Sequence, residues 1–479
     1  MYPLSLPVEL WLYILSLRVH LRDLAALCLT CSQLLSISRP ILFRHLTLRA
    51  ENSLGPNFAV IETFALLTRD KDLACSVREL TLDSRSAAPE SYYRNPGLVH
   101  IASMRNLTQL KRVTIIGDIS RHAGAKIMIE FVQILHDLQL DELRFPAPGV
   151  RAFILELGHI DLAFEQFANP KRLEFYMGVD HHGLLALCLL RIFTAATPSL
   201  TSLSLIATHL YSGSRMRALF DLHFPLLRSL TLNSTSDEEL ACPPGFNSFL
   251  MAHHHTLQEL RLGYTSCGNI RAFGPSALVF DGGSGLHSDF LPDLRVFQGH
   301  CRNVEMMAHA RMRCLTNLRE LTIGSGLNEA RTTIADLGRM FDAIDVAGRL
   351  ESLATLDFDL FRWHDLERDF IPTFIRRVGA ICGTTLEVWS GLLPYLGSWS
   401  TDVFAVFPHL RAIRFPTDSM VLTGLPGVST GENGVGVVQG LAGTCPMLEE
   451  VAFQGAQDEC WKIDRHRVSG TMPRRVDQL

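Results

Sequence analysis

The stretch Leu227-Arg228-Ser229-Leu230-Thr231-Leu232 decides the fold: an apolar anchor, two polar residues, an apolar residue, one more residue and a third apolar one. Leu230 and Leu232 alternate about Thr231, the pattern of a short strand with one face inward, and Leu227 packs beneath it. The phrase recurs between residues 77 and 453. Its middle positions are Leu80, Val113, Leu143, Leu173, Leu203, Leu230, Leu260, Phe297, Leu321, Leu356, Trp389, Ile413 and Val451, and Leu stands three residues before eleven of these thirteen. Steps of 24 to 38 residues separate them, about 31 on average. A phrase repeated at such intervals marks supersecondary units that cannot bury a core alone and must stack on their neighbours.

The intervening segments follow a different period. Ile127, Phe131, Leu135 and Leu138, and likewise Leu366, Phe370, Phe374, Val378 and Ile381, recur at mostly fourfold spacing, which predicts amphipathic helices. Strand, turn, helix and strand again is the right-handed parallel unit. The expected fold class is therefore α/β, with parallel strands inside and helices outside over residues 50–456. An ordinary doubly wound domain, whose Leu-rich strands also alternate with helices, is the alternative. Over residues 46–456 the phrase resembles irregular leucine-rich repeat proteins, which implies a solenoid. The Asn that usually follows the strand in that family is missing from nearly every unit, Asn233 being the nearest match.

Composition narrows the function. In 479 residues, 47% are hydrophobic and 76 are Leu, so the chain buries a large core. A net charge of -5 argues against nucleic-acid or membrane-surface binding driven by overall charge. Eleven cysteines, an odd number without a dense framework, read as reduced core residues. The first twenty residues carry Pro3, Pro7 and Glu9 and lack a basic n-region, so they fail as a signal peptide, and the expected location is cytoplasmic, nuclear or both.

Residues 1–49 form a different object. Pro7 stands at a first helical position with Glu9 in the first turn, and Leu10, Ile14 and Leu17 share a face. Asp23 opens a second helix through Leu24, Leu27, Cys28, Cys31 and Leu34 that Pro40 is expected to break, with a third short helix starting at Ile41. The run Leu6-Pro7-Val8-Glu9-Leu10, then Ile14-Leu15, Asp23-Leu24, Leu27 and Ile41-Leu42-Phe43-Arg44-His45-Leu46 resembles an F-box. The resemblance implies a three-helix module that docks on the Skp-type adaptor of a cullin RING ubiquitin ligase. It further implies apolar contact through Leu6, Pro7, Leu10, Ile14, Leu15, Leu24, Leu27, Leu42 and Phe43, with Glu9 at the rim. Followed by a repeat array, such a module implies a non-catalytic substrate receptor. The alternative is a protein-interaction scaffold whose N-terminal helices only cap the first repeat.

A protein substrate would meet the residues that alternate with the buried strand positions. Glu79, Arg112, Thr114, Glu142, Arg144, Glu174, Tyr176, Arg261, Asp357, Asp359 and Arg414 stand there, with mixed signs that favour a polar protein epitope. Arg112, Arg144, Tyr176, Arg261, Asp357, Asp359 and Arg414 are the candidate contacts, since Tyr and Arg are enriched at binding hot spots. No metal or cofactor is expected. Cys28-Leu29-Thr30-Cys31 lacks the second pair a zinc site needs, and Cys301, His309 and Cys314 have no matching pair either. Adjacent histidines, His181-His182 and His253-His254-His255, point in different directions on a helix and read as exposed polar residues. The glycines from Gly431 to Gly443 miss dinucleotide spacing by one residue, and no hydrolase, zinc-protease or kinase motif is present. Residues 457–479 turn polar and basic and are expected to form a flexible tail, with Trp461 pinning its start.

Overall fold

A computed structural model describes residues 7–16, 21–49, 58–83, 101–116, 124–145, 169–177, 184–207, 218–234, 245–262, 279–280, 286–324, 333–348, 350–359, 370–391, 401–416, 432–454, 459–463 and 474–476. The chain divides into two units, Met1–Leu227 and Arg228–Leu479.

The first unit opens with helices α1 (Val8–Ser16), α2 (Leu21–Cys28) and α3 (Ser32–Leu42). Pro40 does not break the second helix. The break falls after Cys28, because Cys31 takes an extended backbone and its Sγ accepts the Leu34 N–H at 3.4 Å, capping α3. Pro40 then lies in the last turn of α3, two residues before its end. Leu15, Leu24 and Ile37 form a small core of their own, with Trp11, Leu27, Ile41 and Leu42 against it.

There follow β1 (His45–Arg49), α4 (Phe58–Arg69), α5 (Lys71–Ser76), β2 (Glu79–Asp83), β3 (Arg112–Ile116), α6 (Gly124–Asp137), β4 (Glu142–Phe145), β5 (Arg172–Met177), α7 (Leu184–Ala196) and β6 (Ser202–Ala207). The six strands pair in parallel, each with the next in the chain. Arg39 ties α3 to Asp70 at 2.9 Å, and Asp70 in turn caps α5 by accepting the Leu73 N–H.

The second unit contains β7 (Ser229–Ser234), α8 (Phe246–Ala252), β8 (Glu259–Leu262), β9 (Val296–His300), α9 (Cys301–His309), α10 (Cys314–Asn317), β10 (Glu320–Gly324), α11 (Ile334–Ala347), β11 (Thr355–Asp359), α12 (Phe370–Cys382), β12 (Val388–Ser390), β13 (Ala412–Pro416), α13 (Glu432–Thr444) and β14 (Glu450–Gln454). Strands β7 to β14 again pair in parallel in chain order. Residues 457–479, expected as a flexible tail, contain β15 (Glu459–Lys462), antiparallel to β14, and β16 (Arg474–Val476), antiparallel to β15. Trp461 opposite Val451 is buried, and that apolar anchor accounts for the ordered pairing.

One register explains the repeated phrase. Leu80, Val113, Leu143, Leu173 and Leu203 are successive partners in the first unit. Leu230, Leu260, Phe297, Leu321, Leu356, Trp389, Ile413 and Val451 are successive partners in the second. All thirteen are buried, as are the thirteen anchors three residues earlier. The third apolar position is filled by Leu, Ile or Phe except where Gly299 and Gly391 occupy it. At Gly391 the backbone has φ +106°, and a Cβ would stand 2.1 Å from the Phe358 carbonyl oxygen. Beside it Trp389 meets Phe358, Phe404 and Phe407 with ring centroids 5.5 to 5.7 Å away.

The approach to each strand is equally regular. A turn precedes the anchor: Leu227, Leu294, Leu410 and Leu448 donate their N–H to Phe224, Leu291, Phe407 and Cys445, three residues earlier. Pro225, Pro292, Pro408 and Pro446 hold the second place of these four turns, where a fixed φ is suited. Just before the strand, one carbonyl accepts two N–H donors from the next unit. Lys171 O takes Thr201 and Ser202, and Arg319 O takes Ala354 and Thr355, with the same pattern at Arg78, Arg228, Arg295 and Arg411. Buried backbone groups are thereby satisfied without side chains. Among the described residues that lead into β3 and β13, 3₁₀ turns at Ile101–Asn106 and Thr401–Val406 stand in the helix layer.

Candidate partner-binding surfaces

The three N-terminal helices split the predicted contact set in two. Leu15 and Leu24 are the core of the module, and Leu27 and Leu42 pack against that core, so these four hold the helices together. Phe43 is half-buried at the end of α3, its N–H donating to the Arg39 carbonyl. Pro7 is exposed, and its carbonyl starts α1 by accepting from Leu10 and Trp11. Leu10 is 47% and Ile14 39% exposed, on one face of α1 with Tyr13 at 63%. Leu6 and the side chain of Glu9 lie outside the described residues. Val8, Leu29 and Leu35 are further exposed apolar side chains of the module. Tyr13 and Leu35 were legible as positions off the Leu15, Leu24 and Ile37 face; Leu29 follows α2 and carries no periodic signal.

In the first unit the solvent side of the strands is a ladder of charges. Register places Glu79, Arg112, Glu142 and Arg172 in one row, one per strand. His45 meets Glu79 at 3.0 Å, Arg112 meets Glu79 at 2.6 Å, and Arg112 grips Glu142 through Nε and Nη2 at 2.7 and 3.3 Å. Arg144 in the next row reaches Glu142 at 3.0 Å and Glu174 at 3.9 Å, and Arg172 reaches Glu142 at 3.4 Å. Burial alone would raise the Glu142 carboxyl, but the Arg112 hydrogen bond and the charges of Arg144, Arg112 and Arg172 hold it below its usual range. Glu174 goes the other way: burial raises it more than Arg144 and Arg172 lower it.

Arg112 and Arg144 are thus held by carboxylates of the same sheet. The cause is register, because alternating signs one repeat apart become neighbours about 4.8 Å away.

In the second unit the row just after the middle positions, the counterpart of Arg144 and Glu174, runs Thr231, Arg261, Gln298, Thr322, Asp357, Ser390 and Arg414. Arg261 lies 3.9 Å from Glu320 and Arg414 lies 3.6 Å from Glu450. Burial pushes the Asp357 carboxyl up, against a hydrogen bond from Ser390 and the charge of Arg414. The structure therefore brings Asp357 and Arg414 together across Ser390 and leaves Arg261 four strands from Asp357's neighbour Ser390. Tyr176 and Asp359 keep their strand places opposite Ile206 and Gly324, and their side chains lie outside the described ones.

Among the described residues no cluster of His, Cys, Asp or Glu could hold a metal ion. His253 is buried, a correction to its reading as exposed: its Nδ1–H bonds the Phe249 carbonyl at 2.7 Å and its ring lies 4.3 Å from that of Phe249. His181 and His182 lie outside the described residues. Cys28 and Cys31 do not both face the core, since Cys31 caps α3 and both are half-buried. Cys301 and Cys314 are buried, and burial pushes the Cys314 thiol up to about 12. No described helix is long and apolar enough to cross a membrane. Set beside models of known protein families the chain matches none, and set beside curated proteins it has no significant match.

Proposed function

We propose that the chain is the substrate-recognition subunit of a cullin RING ubiquitin ligase. In this reading α1 to α3 are an F-box that docks on a Skp-type adaptor, and through it on a cullin. The strand and helix units are an irregular leucine-rich repeat solenoid that holds a protein substrate. The observation that supports it most is the solvent-exposed apolar side chains of Leu10 and Ile14 on one face of α1, on a module that already has its own core. Exposed apolar side chains grouped on one helix face mark a surface that another protein covers. The resemblance of residues 6–46 to an F-box supplies the identity of that partner.

The protein performs no bond chemistry in this role. It raises the effective concentration of substrate lysines near a charged ubiquitin-conjugating enzyme. Pro7, Leu10 and Ile14 are the contacts, and Leu15, Leu24, Leu27 and Leu42 hold them in place.

A second reading, a protein-interaction scaffold with a helical cap, draws on the Arg39–Asp70 pair, which fastens α3 to the helix before β2. Pull-down of the full chain with the Skp-type adaptor separates the two. Leu10→Asp with Ile14→Asp alters exposed positions and leaves the small core intact, so it should abolish adaptor binding at unchanged thermal stability. Equal binding by this variant, or no binding by the folded wild type, would leave the cap and scaffold reading standing.

A further inference from the structure

Within each unit the residues whose carbonyls take two N–H donors form a row of their own along the rim where the chain enters the strands. Three bases at such places are held by side chains. Lys171 pairs with Asp141 at 2.8 Å, Arg411 with Glu449 at 2.8 Å, and Arg78 bonds Gln109.

Between β7 and β10 the pattern changes. The four successive rim residues are Arg228, Gln258, Arg295 and Arg319, linked in that order by backbone bonds of 2.8 Å from each N–H to the carbonyl before it. All three arginines are exposed, and among the described residues none of them makes an ion pair.

Three carboxylates nearby are engaged elsewhere. Glu259 accepts from the Ser229 hydroxyl, Glu320 faces Arg261, and Asp289 holds Arg313. Asp293 pairs with none of the three. Three guanidinium groups on four neighbouring strands, about 14 Å from end to end, repel one another, and none has a counterion among the described residues.

From this juxtaposition we infer that the rim formed by Arg228, Gln258, Arg295 and Arg319 docks an extended acidic segment of a partner protein. The geometry suits that occupant. An extended chain places alternate side chains about 6.6 Å apart, so carboxylates at three alternate positions span about 13 Å, close to the length of the arginine row. Guanidinium forks bind carboxylates bidentately, and Gln258 adds an amide donor between them. The whole chain carries a net charge of -5, so an acidic peptide is repelled on average and any attraction is local. The inference does not depend on adaptor docking, because the chain alone presents the rim.

The test is fluorescence anisotropy of a labelled (Glu-Ala)₄ peptide with the full-length chain at low ionic strength. Binding should weaken as salt is added, and Arg295→Glu with Arg319→Glu should weaken it by about tenfold or more. Arg411→Glu, on the same row but beside Glu449, should leave it unchanged. If the double glutamate variant is misfolded by circular dichroism, Arg295→Gln with Arg319→Gln should still lose affinity, and Arg295→Lys with Arg319→Lys should keep part of it. No binding by wild type, or an equal loss in Arg411→Glu, would overturn the inference. Binding of a phosphoserine peptide without the glutamate peptide would overturn it as well, by showing a phosphate site.

Discussion

Replacing Glu142 with glutamine removes the charge on which three arginines of the first unit converge while keeping the side chain's shape. Its carboxylate meets Arg112 at 2.7 Å, Arg144 at 3.0 Å and Arg172 at 3.4 Å, and only 11% of the side chain is exposed, against 33 to 51% for the arginines. Breaking a fully buried pair costs about 3–5 kcal/mol, and the partial exposure of the arginines lowers the expected cost to about 2 kcal/mol. That corresponds to a roughly 30-fold rise in local opening. Hydrogen exchange with mass spectrometry on β3, β4 and β5 reads this directly, with β10 and β11 as an internal reference.

Acid should mimic the substitution. The folded Glu142 carboxyl lies below its ordinary 4.5, so its contribution is complete above that value and is lost as pH falls through the lowered one. Wild-type protection in these strands should fall in that range, while Glu142→Gln should keep only the smaller response owed to Glu79 and Glu174. A change below threefold, or the same pH response in the variant, would refute the view that the ladder carries stability.

Trp389→Ala empties a site with three aromatic neighbours and should cost about 3–5 kcal/mol, seen as a lower unfolding midpoint in urea. Gly391→Ala drives a Cβ into the Phe358 carbonyl at positive φ and should destabilise by at least about 1–3 kcal/mol. Gly338→Ala meets open space inside α11 and should stabilise by about 0.5–1 kcal/mol; both are checked by thermal melts. Alkylation of the native protein near pH 8 should label exposed Cys75 and spare Cys314 and Cys382, whose burial pushes both thiols up to about 12, as peptide mapping would show.

The sheet was legible because its signal is redundant: an anchor, a middle residue and a third apolar residue agree in repeat after repeat, and within each of the two units every middle position is a ladder partner of the next. Helix phase was legible for the same reason, Phe131 and Leu135 in α6 and Phe374, Val378 and Ile381 in α12 all being buried. The N-terminal module was less so. Amphipathic spacing cannot tell a face that is buried within three helices from one left bare, and Leu15 and Ile14 are adjacent in the chain yet on opposite sides of that division. The charge ladder was hidden by distance in sequence, although Glu79, Arg112, Glu142 and Arg172 alternate in sign at about one repeat and would have betrayed it once the register was drawn. Four prolines standing five residues before Leu230, Phe297, Ile413 and Val451 were a further signal, since each marks the turn that launches a strand.

The doubled carbonyl before each strand has a consequence for how the chain tolerates change. The residue that bears it and the residue after it both spend their N–H groups on the preceding repeat, so neither of those two positions can be proline, whatever side chain it replaces. None of the thirteen units has proline there, whereas the turn five residues before the middle position welcomes it. Substitution with proline along the whole sequence would therefore trace alternating harm and indifference with the period of the architecture. The fold could be read from survival alone, without any measurement of shape.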